Sequence, residues 1–167
     1  IKMNNKKLTF SALLIALGTM TGHLIYIPVG VAKAFPVQHL INILSAVLLG
    51  PAYAVWNAFA ISLLRNMLGT GSLLAFPGSM IGALMAGLLY KKFKSQLWAI
   101  FGELFGTGIL GAVAAYPIAR FLMGSSAAVF FFVIPFSLST AGGAVIAYLF
   151  LKAVERADSL SFIDQLN

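Results

Sequence analysis

The chain has no cysteine, and only four of its 167 residues are acidic. Without a thiol there is no disulfide, no thiolate metal site and no cysteine nucleophile. Three of the acids sit at Glu155, Asp158 and Asp164, so Glu103 is the only carboxylate before residue 155. Paired carboxylates are therefore missing, as are HExxH, GxSxG and a Walker A loop. The chain cannot hydrolyse ATP by itself, and it carries no enzyme signature. Charge of either sign is scarce: charged residues make up 9%, against about a quarter in an ordinary soluble domain.

The remainder is apolar, with 60% hydrophobic residues. So few charges cannot coat a soluble core, and the outer surface is expected to face lipid. The net charge of +7 does not point to nucleic acid. The cations cluster at Lys2, Lys6 and Lys7, at Lys91, Lys92 and Lys94, and at Lys152 and Arg156, always flanking apolar runs. That is the pattern of membrane-topology signals, and no basic and aromatic residues interleave on a polar face.

Uncharged runs cover 8–32, 34–64, 66–90, 104–119 and 121–151. The first is longer than the core of a signal peptide and is expected to stay as a helix. Gly50-Pro51 divides the second run, glycine ending one helix and proline opening the next. Gly124-Ser125-Ser126 marks a loop. The expected fold is an all-α integral membrane protein with six transmembrane helices, at about 8–27, 38–49, 51–68, 78–92, 95–119 and 129–153. Five or seven spans is the alternative, depending on whether the short second helix crosses fully. One domain covers 1–153, and 154–167 forms a polar cytoplasmic tail. With the amino terminus inside, the inner segments hold eight cations and the outer ends three: Lys33, Arg65 and Arg120. Both termini are thus expected in the cytoplasm, which puts 28–42, 69–77 and 120–128 outside.

Polar residues in such a chain are expensive, and they are expected to face the bundle interior or a wet cavity. Gln38, His39 and Asn42 open the second helix, with His39 and Asn42 three apart on one face. Together they supply donors and acceptors suited to a polar heterocycle; Lys33 just before them reads more as an interfacial anchor than as a ligand. Arg65 and Asn66 end the third helix, and Gly69-Thr70-Gly71 lets the backbone turn close to a ligand. Glu103 lies about 12 Å into the fifth helix, with Thr107 one turn outward and Tyr116-Pro117 near the outer end. Phe35 and Phe76 are candidate aromatic lids or membrane-interface residues. Small residues four apart, Ala12 and Ala16 among them, let helices approach closely.

These stretches resemble the ThiW family, substrate-capture (S) components of energy-coupling factor (ECF) vitamin transporters. The resemblance is carried by KAFPVQHLIN, LLGP, SLLRNMLGTGSLLAFPGSMIGALMAGLLY, GELFGTG and YP, and spans about 8–153. It implies the six-helix S-component fold in a bacterial plasma membrane, with a ligand bound from the outside. The implied partners are a transmembrane coupling subunit and two cytoplasmic ATPases, and Ala12 and Ala16 resemble the first-helix motif that docks on the coupling subunit. No cofactor is implied. The implied ligand is the thiamin precursor hydroxyethylthiazole, with a site drawn from Lys33, Gln38, His39, Asn42, Arg65, Asn66, Glu103, Thr107 and Tyr116. Hydroxymethylpyrimidine and pyridoxine are rival ligands. A self-standing secondary transporter is the second class, disfavoured because one acid makes a poor proton relay. An intramembrane enzyme using Ser79 and His39 is the third.

Overall fold

A computed structural model of the chain describes residues 5–22, 24–29 and 32–156. It contains six helices and one small hairpin: α1 (Asn5–Thr21), β1 (Ile27–Val29), β2 (Ala32–Ala34), α2 (Pro36–Leu48), α3 (Pro51–Met67), α4 (Ala75–Phe93), α5 (Gln96–Leu122) and α6 (Val133–Arg156). Two of the helices, α5 and α6, are long and apolar enough to cross a membrane. His23 and residues 157–167 of the expected tail lie outside the described residues, while 154–156 continue α6.

Local chemistry explains the boundaries. Pro36 and Pro51 sit at the first helical positions of α2 and α3, where a missing N–H costs nothing. Gly50 between them takes φ +92, a left-handed conformation that glycine adopts without strain. The break expected at Gly50-Pro51 is where the chain breaks. Elsewhere the expectations need correcting. The first helix stops at Thr21 rather than near 27, because Ile27–Val29 and Ala32–Ala34 pair as an antiparallel hairpin with Ile27 opposite Ala34. Hydropathy does not distinguish an apolar strand from an apolar helix end. The last helix starts at Val133 rather than 129. Pro135 must lie in the first turn, where it breaks no helical bond, and Phe130 to Phe132 form turns ahead of it.

Helix α5 also runs three residues further than the expected 119 and is not uniformly wound. Gly106–Gly111 and Ile118–Leu122 are π-type turns, the second following directly on Pro117, which cannot donate to the preceding turn. Met123 N bonds Ile118 O at 3.1 Å, the five-residue step of that wider winding.

Helix α2 is the axis of the bundle. It packs on α1, α3, α4, α5 and α6, and residues on every side of it are buried, including Val37, Ile41, Ile43, Leu44 and Val47. A helix buried all round is stable only when other helices surround it. Those neighbours approach closely through glycine. A Cβ on Gly87 would meet Pro51 Cα at 2.5 Å, and one on Gly102 would meet the Met85 carbonyl oxygen at 2.6 Å. The outward side chains of the peripheral helices are large and apolar, among them Leu13, Trp56, Phe101, Val145 and Phe150.

The helix order sorts the two ends of the bundle. One end holds the start of α1, the α2–α3 and α4–α5 junctions and the end of α6; there Gln96 Nε2 donates to Glu155 Oε1. Lys6, Lys7, Lys91, Lys92, Lys94, Lys152 and Arg156 belong to that end. The other end holds the hairpin, the α3–α4 loop and the segment before α6.

Because the α4–α5 contact is backbone against backbone, Gly102→Val is expected to force the helices apart. The cost of such overpacking is about 1–3 kcal/mol. Thermal unfolding in detergent should show a clearly lowered Tm, with the exposed Leu138→Ala as the comparison; equal midpoints would rule out the tight α4–α5 contact.

Candidate functional site

A cavity of about 370 Å³ opens at the hairpin end of the bundle, within the range of about 300–1,000 Å³ usual for small-molecule sites. Phe35, Gln38 and His39 from the start of α2 form one wall, and Arg65 at the end of α3 adjoins them. Thr70, Gly71 and Ser72 contribute the α3–α4 loop, and Gly78 and Ser79 the first turns of α4. Thr107 comes from the π-wound stretch of α5, and Phe132 just before α6 closes the far side with Pro135, Phe136 and Ser139 of α6. The lining is mostly apolar with a few convergent polar groups, the usual composition of a ligand pocket.

The loop is shaped by its own residues. Gly69 takes φ +70 to end α3, and Thr70 N then bonds Arg65 O at 2.9 Å. Asn66 Nδ2 donates to Ser62 O at 2.8 Å and to Ser72 O at 3.1 Å, which clips the loop back onto the helix. The hairpin delivers Phe35, whose backbone N–H donates to Ser139 Oγ at 2.6 Å and whose ring lies 4.7 Å from the Arg65 guanidinium carbon. A cation held against an aromatic face in this way is stabilised electrostatically.

Beneath the cavity the polar side chains form one continuous network. Arg65 Nη1 donates to Gln38 Oε1 at 2.6 Å, and Nη2 to Thr70 O at 3.0 Å. Gln38 Nε2 donates to Ser62 Oγ at 2.9 Å and to Ser79 Oγ at 3.0 Å. Ser79 Oγ lies 3.0 Å from Asn42 Nδ2 and 3.3 Å from Asn42 Oδ1. Asn42 Nδ2 also donates to Glu103 Oε1 at 2.9 Å. Glu103 is fully buried, and the same oxygen lies 2.8 Å from His39 Nδ1 and 3.0 Å from Thr107 Oγ1, whose hydroxyl also reaches Gly78 O at 3.1 Å. The Arg65 guanidinium and the Glu103 carboxyl are thus linked through Gln38, Ser79 and Asn42 rather than paired directly. A separate buried cluster joins α1, α2 and α3, where Ser11 Oγ donates to Asn57 Oδ1 and Asn57 Nδ2 to Ser45 Oγ at 2.9 Å.

Glycine makes room for the carboxylate. A Cβ on Gly82 would strike the Thr107 hydroxyl and lie 2.8 Å from Glu103 Oε2. On the other side, α6 comes so near that a Cβ on Gly143 would lie 2.8 Å from His39 Cβ.

Set against the sequence-derived candidates, the structure places Gln38, His39, Arg65 and Thr107 in the cavity wall. Asn42 and Glu103 lie one layer behind, holding the wall in place. Asn66 is spent on the loop clip and does not line the cavity. Tyr116 does not line it either; nine residues past Thr107, it lies about 14 Å further along the helix. Lys33 sits on β2, where only its backbone is described. Ser79 and His39 share no hydrogen bond, since Ser79 engages Gln38 and Asn42 while His39 engages Glu103, so the nucleophile pairing is absent. Phe35 lines the cavity, whereas Phe76 packs on Phe59 with ring centroids 5.8 Å apart. Sequence reasoning missed Ser62, Ser139, Phe132 and Phe136. Ser62 carried a usable signal, lying three residues before Arg65 and so on the same face of α3. Ala12 and Ala16 are exposed on α1, away from the cavity.

The comparisons with known proteins bear on what this cavity serves. No curated protein and no solved structure matches the chain. The model of one family does match, that of the thiamine-precursor transporter protein ThiW, over residues 8–157. This is a transporter family and not an enzyme family. A match over most of the chain, including every residue of the buried network, shows that the chain belongs to the ThiW family of thiamine-precursor transporter proteins.

Proposed function

We propose that the chain is the substrate-capture S component of an ECF-type importer, embedded as a multi-pass protein in a bacterial plasma membrane with both termini in the cytoplasm. The observation that carries this reading is the position of the cavity. It opens at the end of the bundle opposite the basic clusters, and cations concentrate on the cytoplasmic side of membrane proteins. The cavity then faces outward, as capture from the environment requires. The large apolar side chains on the outside of the bundle suit a lipid surround.

The ligand proposed for the cavity is hydroxyethylthiazole. A small neutral heterocycle gains from the aromatic wall of Phe35, Phe132 and Phe136 and from a limited set of hydrogen bonds at Gln38, His39, Arg65 and Thr107. The chain carries no nucleotide-binding motif, so energy must come from elsewhere: a transmembrane coupling subunit and two cytoplasmic ATPases. Ala12 and Ala16 present small side chains on the outer face of α1, a surface on which another helix can lie closely.

Calorimetric titration of detergent-purified protein is expected to show hydroxyethylthiazole binding with a Kd well below about 1 mM. Hydroxymethylpyrimidine and pyridoxine serve as competitors, and tighter binding by either would move the ligand assignment to it. Gln38→Ala removes the acceptor for Arg65 Nη1 and the donor to Ser62 and Ser79. An unsatisfied buried polar group costs about 1–3 kcal/mol, so the variant is expected to bind about tenfold or more weakly and to melt earlier. Binding and melting unchanged from wild type would remove Gln38 from the site. Replacing Ala12 and Ala16 together with Leu is expected to abolish co-purification with the coupling subunit while leaving the ligand titration as it was; retained co-purification would place the docking surface elsewhere.

A further inference from the structure

His39 has two ring nitrogens, and the protein engages one. Nδ1 lies 2.8 Å from Glu103 Oε1, whereas Nε2 has no hydrogen-bond partner among the described residues. Nε2 is not sealed away. Among the described residues the buried, unpartnered side-chain polar atoms are Thr19 Oγ1, Arg65 Nε, Glu103 Oε2 and Thr140 Oγ1, and His39 itself lines the cavity.

The state of the ring follows from its neighbour. Glu103 Oε1 accepts from Asn42 Nδ2 and lies 3.0 Å from Thr107 Oγ1, whose hydroxyl also reaches Gly78 O at 3.1 Å, and 2.8 Å from His39 Nδ1; an amide N–H and a hydroxyl converging on one oxygen suit a carboxylate, which only accepts. A carboxylate there requires the proton on Nδ1. In the neutral imidazole the other nitrogen then carries a lone pair. The ring's anchor is held by close packing, since even a Cβ on Gly143 would lie 2.8 Å from His39 Cβ. The other polar groups nearby differ in sense. Arg65 donates, and the hydroxyls of Ser72 and Ser139 accept from the backbone N–H of Leu74 and Phe35, which leaves their own protons for the cavity.

We infer that Glu103 fixes His39 in the tautomer whose Nε2 is a hydrogen-bond acceptor open to the cavity, and that this atom receives a hydroxyl or N–H of the ligand. The inference rests on the cavity being the ligand site, as proposed above. Glu103 is thereby a positioning residue and His39 a specificity-determining one. The site selects heterocycles that carry a donor over analogues of equal size that lack it, because such an analogue leaves Nε2 desolvated and unpaired.

Two measurements on the wild-type protein test this. The first compares titrations with hydroxyethylthiazole and with its ethyl analogue, which differs by the single hydroxyl. The analogue is expected to bind about ten- to a hundredfold more weakly, and equal affinities would overturn the contact. The second is the nitrogen NMR spectrum of histidine-labelled protein without ligand, with the His39 signals identified by their loss in His39→Gln. A protonated Nδ1 and an unprotonated Nε2 are expected, and the reverse would overturn the tautomer. Glu103→Gln, whose amide can donate as well as accept, is expected to mix the tautomers and shrink the preference for the hydroxyl. An unchanged preference would remove Glu103 from the role. If neither thiazole binds, the ligand assignment falls, while the NMR result still decides the tautomer.

Discussion

One buried carboxylate organises the interior. Glu103 is fully enclosed, and taking such a charge out of water costs several kcal/mol unless it is compensated. Compensation comes from one neighbouring helix and from α5 itself: His39 and Asn42 reach it from α2, and Thr107 lies one turn along. Because those donors must converge on one oxygen, the registers of α2 and α5 are fixed relative to each other. The requirement extends into α4, where only glycine at position 82 leaves room for the carboxylate and the Thr107 hydroxyl. It extends to α3 as well, since Asn42 is tied through Ser79 and Gln38 to the guanidinium of Arg65. A network of this kind is favourable only when almost every member is satisfied, so four helices are held in one arrangement by a single polar path.

Much of this was legible in the sequence, and for a physical reason. In a chain with so few charges, each polar side chain within an apolar run is costly to keep, so Gln38, His39, Asn42, Arg65 and Glu103 stood out together. Helical spacing placed His39 and Asn42 on one face, and both reach the same carboxylate oxygen. Depth was what spacing could not give. Asn42 lies one turn further into α2 than His39, and that single turn takes it from the cavity wall into the layer behind. Ser62 and Ser139 escaped notice because their small hydroxyls hardly perturb an apolar run, and Ser79 was considered only as a nucleophile. Ser79 nevertheless contacts both Gln38 and Asn42 and closes the path between cation and anion. The hairpin and the π-type turns of α5 were invisible for another reason. Both are set by how the chain meets its neighbours, and the apolar pattern is the same whether an end is helical, extended or widely wound.

The cavity itself follows from a mismatch in helix length. α2 has 13 residues, about 20 Å of helix, against a hydrocarbon core of about 30 Å. α5 has 27 residues and continues from Thr107 to Leu122, 15 residues past the level of the cavity wall (122 minus 107). The axis of the bundle therefore ends while its neighbours carry on, and the space above its first turn is open. Had α2 begun a further two turns earlier, its own side chains would fill that space. Pro36 prevents this, since a proline deep in a helix would break a bond and clash with the preceding turn. The chain before it folds instead into a hairpin, which returns Phe35 to the rim and ties it to α6 through Ser139. The same proline thus starts the helix, recesses its end, and leaves Gln38 and His39 in the first turn facing an apolar chamber. Recognition groups carried on the first turn of a buried central helix are held by every helix around it. That is the rigidity needed if one imidazole nitrogen is to tell a hydroxyl from a methyl group.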